Sequence, residues 1–164
     1  MAGQSLTELK NIVLSEITNN TNIIKALVMH SEDFLTAIPT EEEQYKIDNA
    51  PKLIRKQIFP YKNITLVDVE AQPYITSGFY NFEKIDRNFI GGIVRFYIII
   101  PIALEETDYG SRYDVITDML EDLFNNTGIG VFEFKGKTDV DLPVADFQCH
   151  SVWFNITDFH WKDN

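Results

Sequence analysis

The residues that could act as a nucleophile or a base lie near the carboxyl end of the sequence, where Cys149 and His150 are adjacent. A cysteine nucleophile needs a base within hydrogen-bond reach. Neighbouring residues on a β-strand point to opposite faces, so these two side chains cannot bond directly. We therefore interpret Cys149, the single cysteine, as a small core residue and predict no catalytic residue.

Metal binding would require converging histidines and carboxylates. His30, His150 and His160 do not have the spacing of metal ligands, such as two histidines four residues apart on a helix. Asp139 and Asp141 resemble part of a calcium loop, but its glycine and terminal glutamate are missing. The sequence predicts no metal site.

The paired glycines also lack the context of a phosphate-binding loop. Gly91-Gly92 precedes a predicted strand and Gly128-Ile-Gly130 follows a predicted helix, so both are typical of turns. The paired acids of the Asp118–Asp122 helix segment face solvent, where nothing tunes a carboxylate for acid–base work. We predict no cofactor and a protein that is not an enzyme.

The first 60 residues have helical character. Ser5 to Glu8 forms a capping box, and Asn19-Asn20 interrupts the helix before a second one begins. Residues 31–49 are irregular, and the segment 36–49, which includes Glu41-Glu42-Glu43, is expected to be a polar loop. Asn49 is expected to cap a short helix from Pro51 to about Ile58.

From Asn63 onward the pattern changes to strands around one long helix. The helix opens at Ser111, has Asp114 at its third position, and ends near Asn125. Residues 135–143 are expected to form a polar loop. The strands are predicted at Thr65–Glu70, Tyr74–Phe82, Ile93–Ile102, Val131–Phe134 and Val144–Ile156.

Two of these strands carry apolar residues on both faces. In Ile93–Ile102, one face is entirely aliphatic or aromatic and belongs in the core, whereas Arg95 indicates that the other face meets solvent or a partner. In Val144–Ile156, the apolar residues change parity after Cys149. A one-residue bulge near His150 or Ser151 would return them to one face.

These elements predict one α+β domain over residues 1–164, with a helical segment at 1–60 and the sheet with its packed helix at 61–164. The sheet is expected to be mixed but largely antiparallel, with the helix on one face. We expect no secretion signal, no membrane span and synthesis in the cytoplasm of a host cell.

The charge balance is strongly acidic, with 25 Asp and Glu against 14 Lys and Arg and a net charge of −11. Nucleic-acid-binding surfaces are usually basic. The nearest basic group, at Lys52, Arg55, Lys56 and Lys62, is interpreted as a solvated helix face. Specific DNA binding is therefore disfavoured.

The order of elements in the second half has a counterpart among bacteriophage proteins. The aliphatic strand 93–102, the acidic loop 105–110, the helix 111–124 with Arg112 and Asp114 at its start, the segment 128–134 and the closing strand 149–158 follow one another. This order, over about residues 50–160, resembles the small neck and tail-completion proteins of tailed phages, particularly tail terminators.

The resemblance implies a structural virion protein of the neck that forms a ring, with a hexamer favoured. It would end the tail tube, join it to the head through connector proteins, and let DNA pass through its lumen without specific binding. It carries over no catalytic residue. The acidic surface would suit such a channel, because like charges repel.

Interfaces between subunits favour tyrosine, tryptophan and arginine, and long polar loops commonly contact partners. Tyr80 is one candidate from these rules. The other expected interface residues are Arg95, Tyr97, Arg112, Glu41, Glu42, Glu43, Asp139, Asp141, Trp153 and Trp161.

Two further hypotheses remain open at this point. The chain could be an acidic bacterial adaptor or inhibitor that binds a basic protein. It could also be an enzyme with two buried carboxylates about 5–9 Å apart in a groove, although the acids of the long helix are expected to be exposed.

Overall fold

A computed structural model of the chain describes residues 6–61, 70–84, 90–126, 131–141 and 145–159. Over these residues the fold is α+β, as predicted, with four α-helices and a five-stranded sheet. The helices are α1 (Leu6–Thr18), α2 (Thr21–Val28), α3 (Glu41–Asp48) and α4 (Arg112–Asn126). The strands are β1 (Ile58–Phe59), β2 (Tyr74–Lys84), β3 (Ile90–Pro101), β6 (Val131–Val140) and β7 (Phe147–Phe159), and a small hairpin pairs β4 (Glu106–Thr107) with β5 (Gly110–Ser111).

The predicted interruption between the first two helices is confirmed. The Asn20 side chain accepts a hydrogen bond from the Ile23 backbone N–H at 3.0 Å and so caps α2. Most of α2 is buried, including Ile24 and Leu27. Ser5, which was expected to cap α1, lies outside the described residues.

The prediction of a loop over 36–49 is wrong, because Glu41–Asp48 is helical. Thr40 accepts a hydrogen bond from the Glu43 N–H at 3.2 Å, and the Glu43 carboxylate accepts one from the Thr40 N–H at 3.0 Å. This capping box offsets the lack of any buried side chain in α3.

The predicted helix from Pro51 to Ile58 is also wrong in extent. A short 3-10 helix covers Ala50–Leu53, and Asn49 makes no side-chain cap to it. Instead, the Asn49 side chain donates to the Tyr45 carbonyl at the end of α3. The chain then turns into the edge strand β1, which was not predicted.

The five strands lie in the order β1-β2-β3-β7-β6, and only the β1–β2 pair is parallel. The predicted strand at Thr65–Glu70 falls mostly on residues 62–69, outside the described part of the chain, and Glu70 is not in a strand. The predicted strands at 74–82 and 93–102 are confirmed as the central pair β2 and β3, although β3 ends at Pro101.

The helices cover one face of the sheet, which we call the inner face. Its core residues on β3 were predicted correctly: Val94, Phe96, Ile98 and Ile100 are each 0% exposed. They share one apolar cluster with buried residues of α1, α2 and α4, and the partly buried Ile47 of α3 packs against it. On α4, the predicted capping by Ser111 is confirmed, since its hydroxyl accepts from the Asp114 N–H at 3.1 Å.

The predicted bulge in the last strand is absent. β3 and β7 pair without a register shift from Phe147 to Ile156, so Val152 and Phe154 face the inner core while Phe147 and Cys149 face the other way. The strand has apolar residues on both faces because both faces are buried. Register shifts occur elsewhere. One lies in β6 between Phe134 and Gly136, and another lies near the end of β7, where Ile156 and Phe159 pair with Gly92 and Ile90 of β3.

The predicted polar loop at 135–143 is likewise wrong up to Val140, which ends β6. Its polar composition reflects an edge position, because β6 pairs only with β7 among the described strands. Asp141 follows the end of this strand and is exposed.

Candidate functional sites

The face of the sheet opposite the helices, which we call the outer face, carries a second apolar cluster. Its buried members are Tyr74, Tyr97, Ile99 and Cys149, and all come from strands. The prediction that this face of β3 meets solvent or a partner is therefore too simple, because Tyr97 and Ile99 are buried. Burial raises the pKa of the Cys149 thiol to about 11, which keeps it protonated at neutral pH.

Arg95 lies beside this cluster and is held in place by its cross-strand neighbours. Its Nε and Nη2 atoms donate to the Ser151 hydroxyl at 3.1 and 2.8 Å. Its guanidinium carbon lies 4.9 Å from the Trp153 ring centroid and 5.3 Å from that of Tyr97. Cation–π contacts at these distances contribute about 0.5–2 kcal/mol each.

Glycines in the neighbouring strands let two aromatic rings lie against the sheet. A methyl group built on Gly136 would come within 2.6 Å of the Trp153 ring, and one built on Gly78 within 2.6 Å of the Tyr80 hydroxyl. The bulge in β6 places Gly136 opposite Trp153. The rings therefore pack flat where a larger residue would lift them.

Between these rings lies a shallow cavity of about 270 Å³, lined by Tyr80, Asn81, Ile93, Arg95 and Trp153. Tyr80, Ile93, Arg95 and Trp153 are half-buried. Of the residues predicted as an interface, the structure thus brings together Arg95, Tyr97, Trp153 and Tyr80. Trp161 lies outside the described residues.

Arg112, also predicted as an interface residue, is instead an interior residue of the folded chain, with 0% exposure. Its Nη1 donates to the carbonyls of Ala26 and Met29 at 2.9 and 3.0 Å, at the carboxyl end of α2. Further bonds reach the carbonyls of Leu104 and Ser31. Burial lowers its pKa to about 10, so it remains charged at neutral pH. A cation in this position satisfies the last carbonyls of the helix.

The three glutamates of α3 have different roles. Glu41 and Glu42 are exposed, and Glu42 pairs with Lys46 one helical turn away, with an N–O distance of 3.7 Å. Glu43 is committed to the capping box and also accepts from the His30 N–H at 3.2 Å. Although burial opposes the change, these hydrogen bonds lower the pKa of Glu43.

A second cavity, of about 510 Å³, was not predicted; we call it the polar pocket. It lies on the inner side, where the start of α4 meets the last residues of β6 and the first residues of β7. The residues that line it are Glu105, Ser111, Tyr113, Asp114, Lys137, Thr138, Asp139, Gln148 and His150.

The wall of the polar pocket is built from aromatic stacking and two charged contacts. The His150 and Tyr113 rings stack with centroids 4.0 Å apart. His150 Nδ1 lies 2.7 Å from an Asp139 oxygen, and Lys137 Nζ lies 3.5 Å from an Asp114 oxygen. Asp139, a predicted interface residue, is therefore tied to His150, its register partner on β7.

Among the described residues, three buried polar atoms of the polar pocket find no hydrogen-bond partner: Glu105 Oε2, the Tyr113 hydroxyl and His150 Nε2. Burial raises the pKa of the Tyr113 hydroxyl to about 12. The nearby Thr117 side chain acts against this change, and the charges of Asp114 and Asp139 add to it. No sequence motif marks this pocket, because it depends on the pairing of β6 with β7. The sequence feature that could have indicated the polar pocket was the set of polar residues on the two segments that become the adjacent strands β6 and β7.

Cys149 and His150 lie on opposite faces, as the strand geometry predicted, with the thiol in the outer cluster and the imidazole in the polar pocket. Within the described ranges, no three His, Cys, Asp or Glu side chains are grouped so that they could hold a metal ion. No helix in the same ranges is long and apolar enough to cross a bilayer.

Comparison with known families matches the model of the YomW family to residues 20–156, and the chain belongs to that family. The family name derives from a phage genome, which is consistent with a phage protein. No curated protein matches the chain.

Proposed function

We propose that this member of the YomW family is a structural virion protein of the phage neck, a ring-forming tail terminator or tail-completion protein that ends the tail tube and joins it to the head. The observation that carries the proposal is the gathering of Tyr80, Arg95, Tyr97 and Trp153 on the outer face. Tyrosine, tryptophan and arginine dominate the binding energy of protein interfaces.

The geometry of this face supports a role in assembly. Arg95 is oriented by Ser151 and by two rings before any partner arrives, so little side-chain entropy is lost on binding. The cavity of about 270 Å³ beside it offers room for a side chain of a neighbouring subunit or tail protein. We expect the outer face to be buried in the assembled neck.

The overall charge fits a protein that surrounds DNA without binding it. The net charge of −11 repels phosphates, so DNA would pass through the lumen of the ring without adhering. Localisation in the virion neck, and contacts with the tail tube and with head-connector proteins, follow from the same proposal.

Native mass spectrometry and electron microscopy of the purified full chain test the proposal. We expect closed rings, with six copies favoured, and at least about a tenfold weaker self-association for Trp153→Ala. Asn11→Ala, an exposed change on α1 and so on the helical side of the sheet, serves as the control. A chain that stays monomeric at millimolar concentration, alone and with tail proteins, would contradict the proposal.

A second candidate function is an acidic adaptor or inhibitor that binds a basic protein. It is favoured by α3, where Glu41 and Glu42 are exposed next to Ile38, whose side chain is 93% exposed. Loss of binding to a basic partner on Glu41→Lys and Glu42→Lys, in a chain that forms no ring, would support this alternative.

A further inference from the structure

The polar pocket has an imbalance of hydrogen-bonding groups. Glu105 Oε2 can only accept when ionised, and His150 Nε2 accepts when its Nδ1–H donates to Asp139. Tyr113 is only 4% exposed, and its hydroxyl likewise makes no hydrogen bond within the part of the chain that the structure describes. Buried acceptors without donors are costly, so a group that brings several N–H donors would be stabilised here.

The charges in the polar pocket favour the same kind of group. Glu105, Asp114 and Asp139 contribute three carboxylates. Against them stand Lys137, the one lysine or arginine among the lining residues, which already pairs with Asp114, and the buried Arg112, whose charge acts on Glu105. A guanidinium fits best, because its planar fork can donate to several acceptors and can stack beside the Tyr113 and His150 rings.

The chain itself carries a suitable group in the turn Arg55-Lys56. Of the exposed lysines and arginines in the described residues, Lys52 bonds the Tyr45 hydroxyl, Lys135 pairs with Glu133 and Lys137 pairs with Asp114. Arg55 and Lys56 are the exposed cations that make no side-chain hydrogen bond or ion pair within the same described ranges.

The position of this turn requires the contact to be between copies. Arg55-Lys56 is separated by Gln57 from β1, at one edge of the sheet, whereas the polar pocket adjoins β6, at the other edge. Four strand spacings, about 19 Å, separate these edges. Arg55 cannot reach across that distance to the polar pocket of its own chain.

We propose that the polar pocket receives the Arg55 guanidinium of a second copy of this chain, with Lys56 at its rim. The contact joins unlike surfaces, so it propagates head to tail and forms a ring when the rotation closes. This inference rests on the proposed ring function. It adds the residues that make one copy contact the next in a head-to-tail direction. The outer face supplies buried apolar area, and this polar contact fixes register.

Charge reversal on each side of the contact provides the test, with self-association of the full chain measured by native mass spectrometry and sedimentation. Arg55→Glu and Asp139→Lys are each expected to weaken association at least about tenfold, because each places like charges together. Lys46→Glu changes the net charge as much as Arg55→Glu does, but on α3, and is expected to weaken association less than about threefold. Circular dichroism checks that each variant folds.

Mixing the two reversed chains sharpens the result. In an equimolar mixture, the new carboxylate of the Arg55→Glu chain meets the new ammonium of the Asp139→Lys chain, and the remaining contacts are native. Association is therefore expected to recover to within about threefold of the wild type. Arg55→Lys is expected to weaken association, but by less than Arg55→Glu does, because an ammonium keeps the positive charge and loses the planar fork. These outcomes together would support the contact.

The contrary outcomes separate the two proposals. Rings that form equally well with Arg55→Glu overturn this contact but leave the ring function standing. If Asp139→Lys weakens self-association but Arg55→Glu and Lys56→Glu do not, another group occupies the polar pocket, and the proposed contact is wrong. A wild-type chain that never associates overturns both.

Discussion

The two sides of the central sheet each hold an arginine, but in opposite ways. On the helical side, Arg112 is 0% exposed and donates hydrogen bonds to four backbone carbonyls. On the outer face, Arg95 is half-buried and is held by one hydroxyl and two rings. Arg112 joins α2 to the start of α4, whereas Arg95 remains partly available to a partner.

This contrast shows what burial does to a charged residue. A buried cation must be fully hydrogen-bonded within the chain, so its removal leaves acceptors without partners. A half-exposed cation can exchange its contacts for water. The same residue type therefore serves stability on one side and, we propose, assembly on the other.

The largest expected effect comes from replacing Arg112. Arg112→Met keeps much of the side-chain volume but leaves the carbonyls of Ala26, Met29 and Leu104 without this donor. Each buried unpaired group costs about 1–3 kcal/mol, so we expect a loss of about 5 kcal/mol in the free energy of unfolding. Urea denaturation followed by circular dichroism measures it.

Arg95→Met is the matched control, with an expected loss below about 1.5 kcal/mol, because two cation–π contacts and one hydroxyl contact disappear at a partly solvated site. Equal losses for the two variants would show that the distinction between the two sides is wrong.

The next largest effect on the free energy of unfolding is expected at two neighbouring residues of β7, which face opposite sides of the sheet. Phe154 is 0% exposed and lies 6.0 Å, between ring centroids, from both Phe96 and Phe134. Phe154→Ala is expected to cost about 3–5 kcal/mol. Trp153→Ala, one residue earlier on the outer face, should cost about 1–2 kcal/mol in the monomer, because water already reaches part of the ring.

Thermal and urea unfolding of dilute, monomeric protein would measure both variants. If Trp153→Ala destabilises the monomer as much as Phe154→Ala, the outer face is a second structural core rather than a contact surface.

Periodicity in the sequence was sufficient for the inner side of the fold. The alternation through Val94, Phe96 and Ile98 and the helical spacing on α4 each reflect packing into the one apolar cluster between the helices and the sheet, so the buried positions recur at a regular period. The Asn20 and Ser111 caps are local interactions, so they too could be predicted.

The errors arose where a pattern has two physical causes. β7 buries both of its faces, so the apolar residues in its sequence change parity, which we interpreted as a bulge. The polar residues of β6 imitated a loop because the strand lies at an edge. The Glu41-Glu42-Glu43 run imitated a loop because α3 buries no side chain and depends on its capping box.

Of the candidate site residues, sequence alone could identify the aromatic and arginine types but not their environments. Nothing in the residues near Arg112 indicates that four distant carbonyls surround it, since those contacts depend on tertiary packing. The polar pocket was missed for the same reason, because Glu105 comes from a bend, Tyr113 from α4 and His150 from β7.

A smaller effect is expected at Gly136, against which the Trp153 ring of the outer face packs. Gly136→Ala places a methyl group 2.6 Å from the Trp153 ring, so the ring must move away from the strand. We expect a loss of about 2 kcal/mol in the free energy of unfolding. In a Trp161→Phe background, the emission of Trp153 should shift to longer wavelength as the ring becomes more exposed.

Thr138→Ala, two residues along the same strand and exposed, is the control and should leave the emission unchanged. An unaltered spectrum for Gly136→Ala would mean that the Trp153 ring does not rest on the glycine.

The smallest effect concerns the thiol of the outer cluster. Cys149 is 4% exposed, and its burial raises the pKa to about 11, above the ordinary value near 8.5–9. Between these values the unfolded chain releases the proton and the folded chain keeps it. The free energy of unfolding therefore falls as pH rises from about 9 towards 11.

Urea unfolding of the wild type and of Cys149→Ala at pH 8 and pH 10.5 isolates this contribution, because the tyrosines titrate in both proteins. We expect the wild type to lose about 1–2 kcal/mol more than the variant over this interval. An aromatic disulfide reagent should also react much more slowly with the folded protein than in urea at pH 8. Rapid reaction in the folded state would mean that water reaches this cluster. The outer face would then have no buried part, and only the exposed surface around Arg95 and Trp153 would remain of its description.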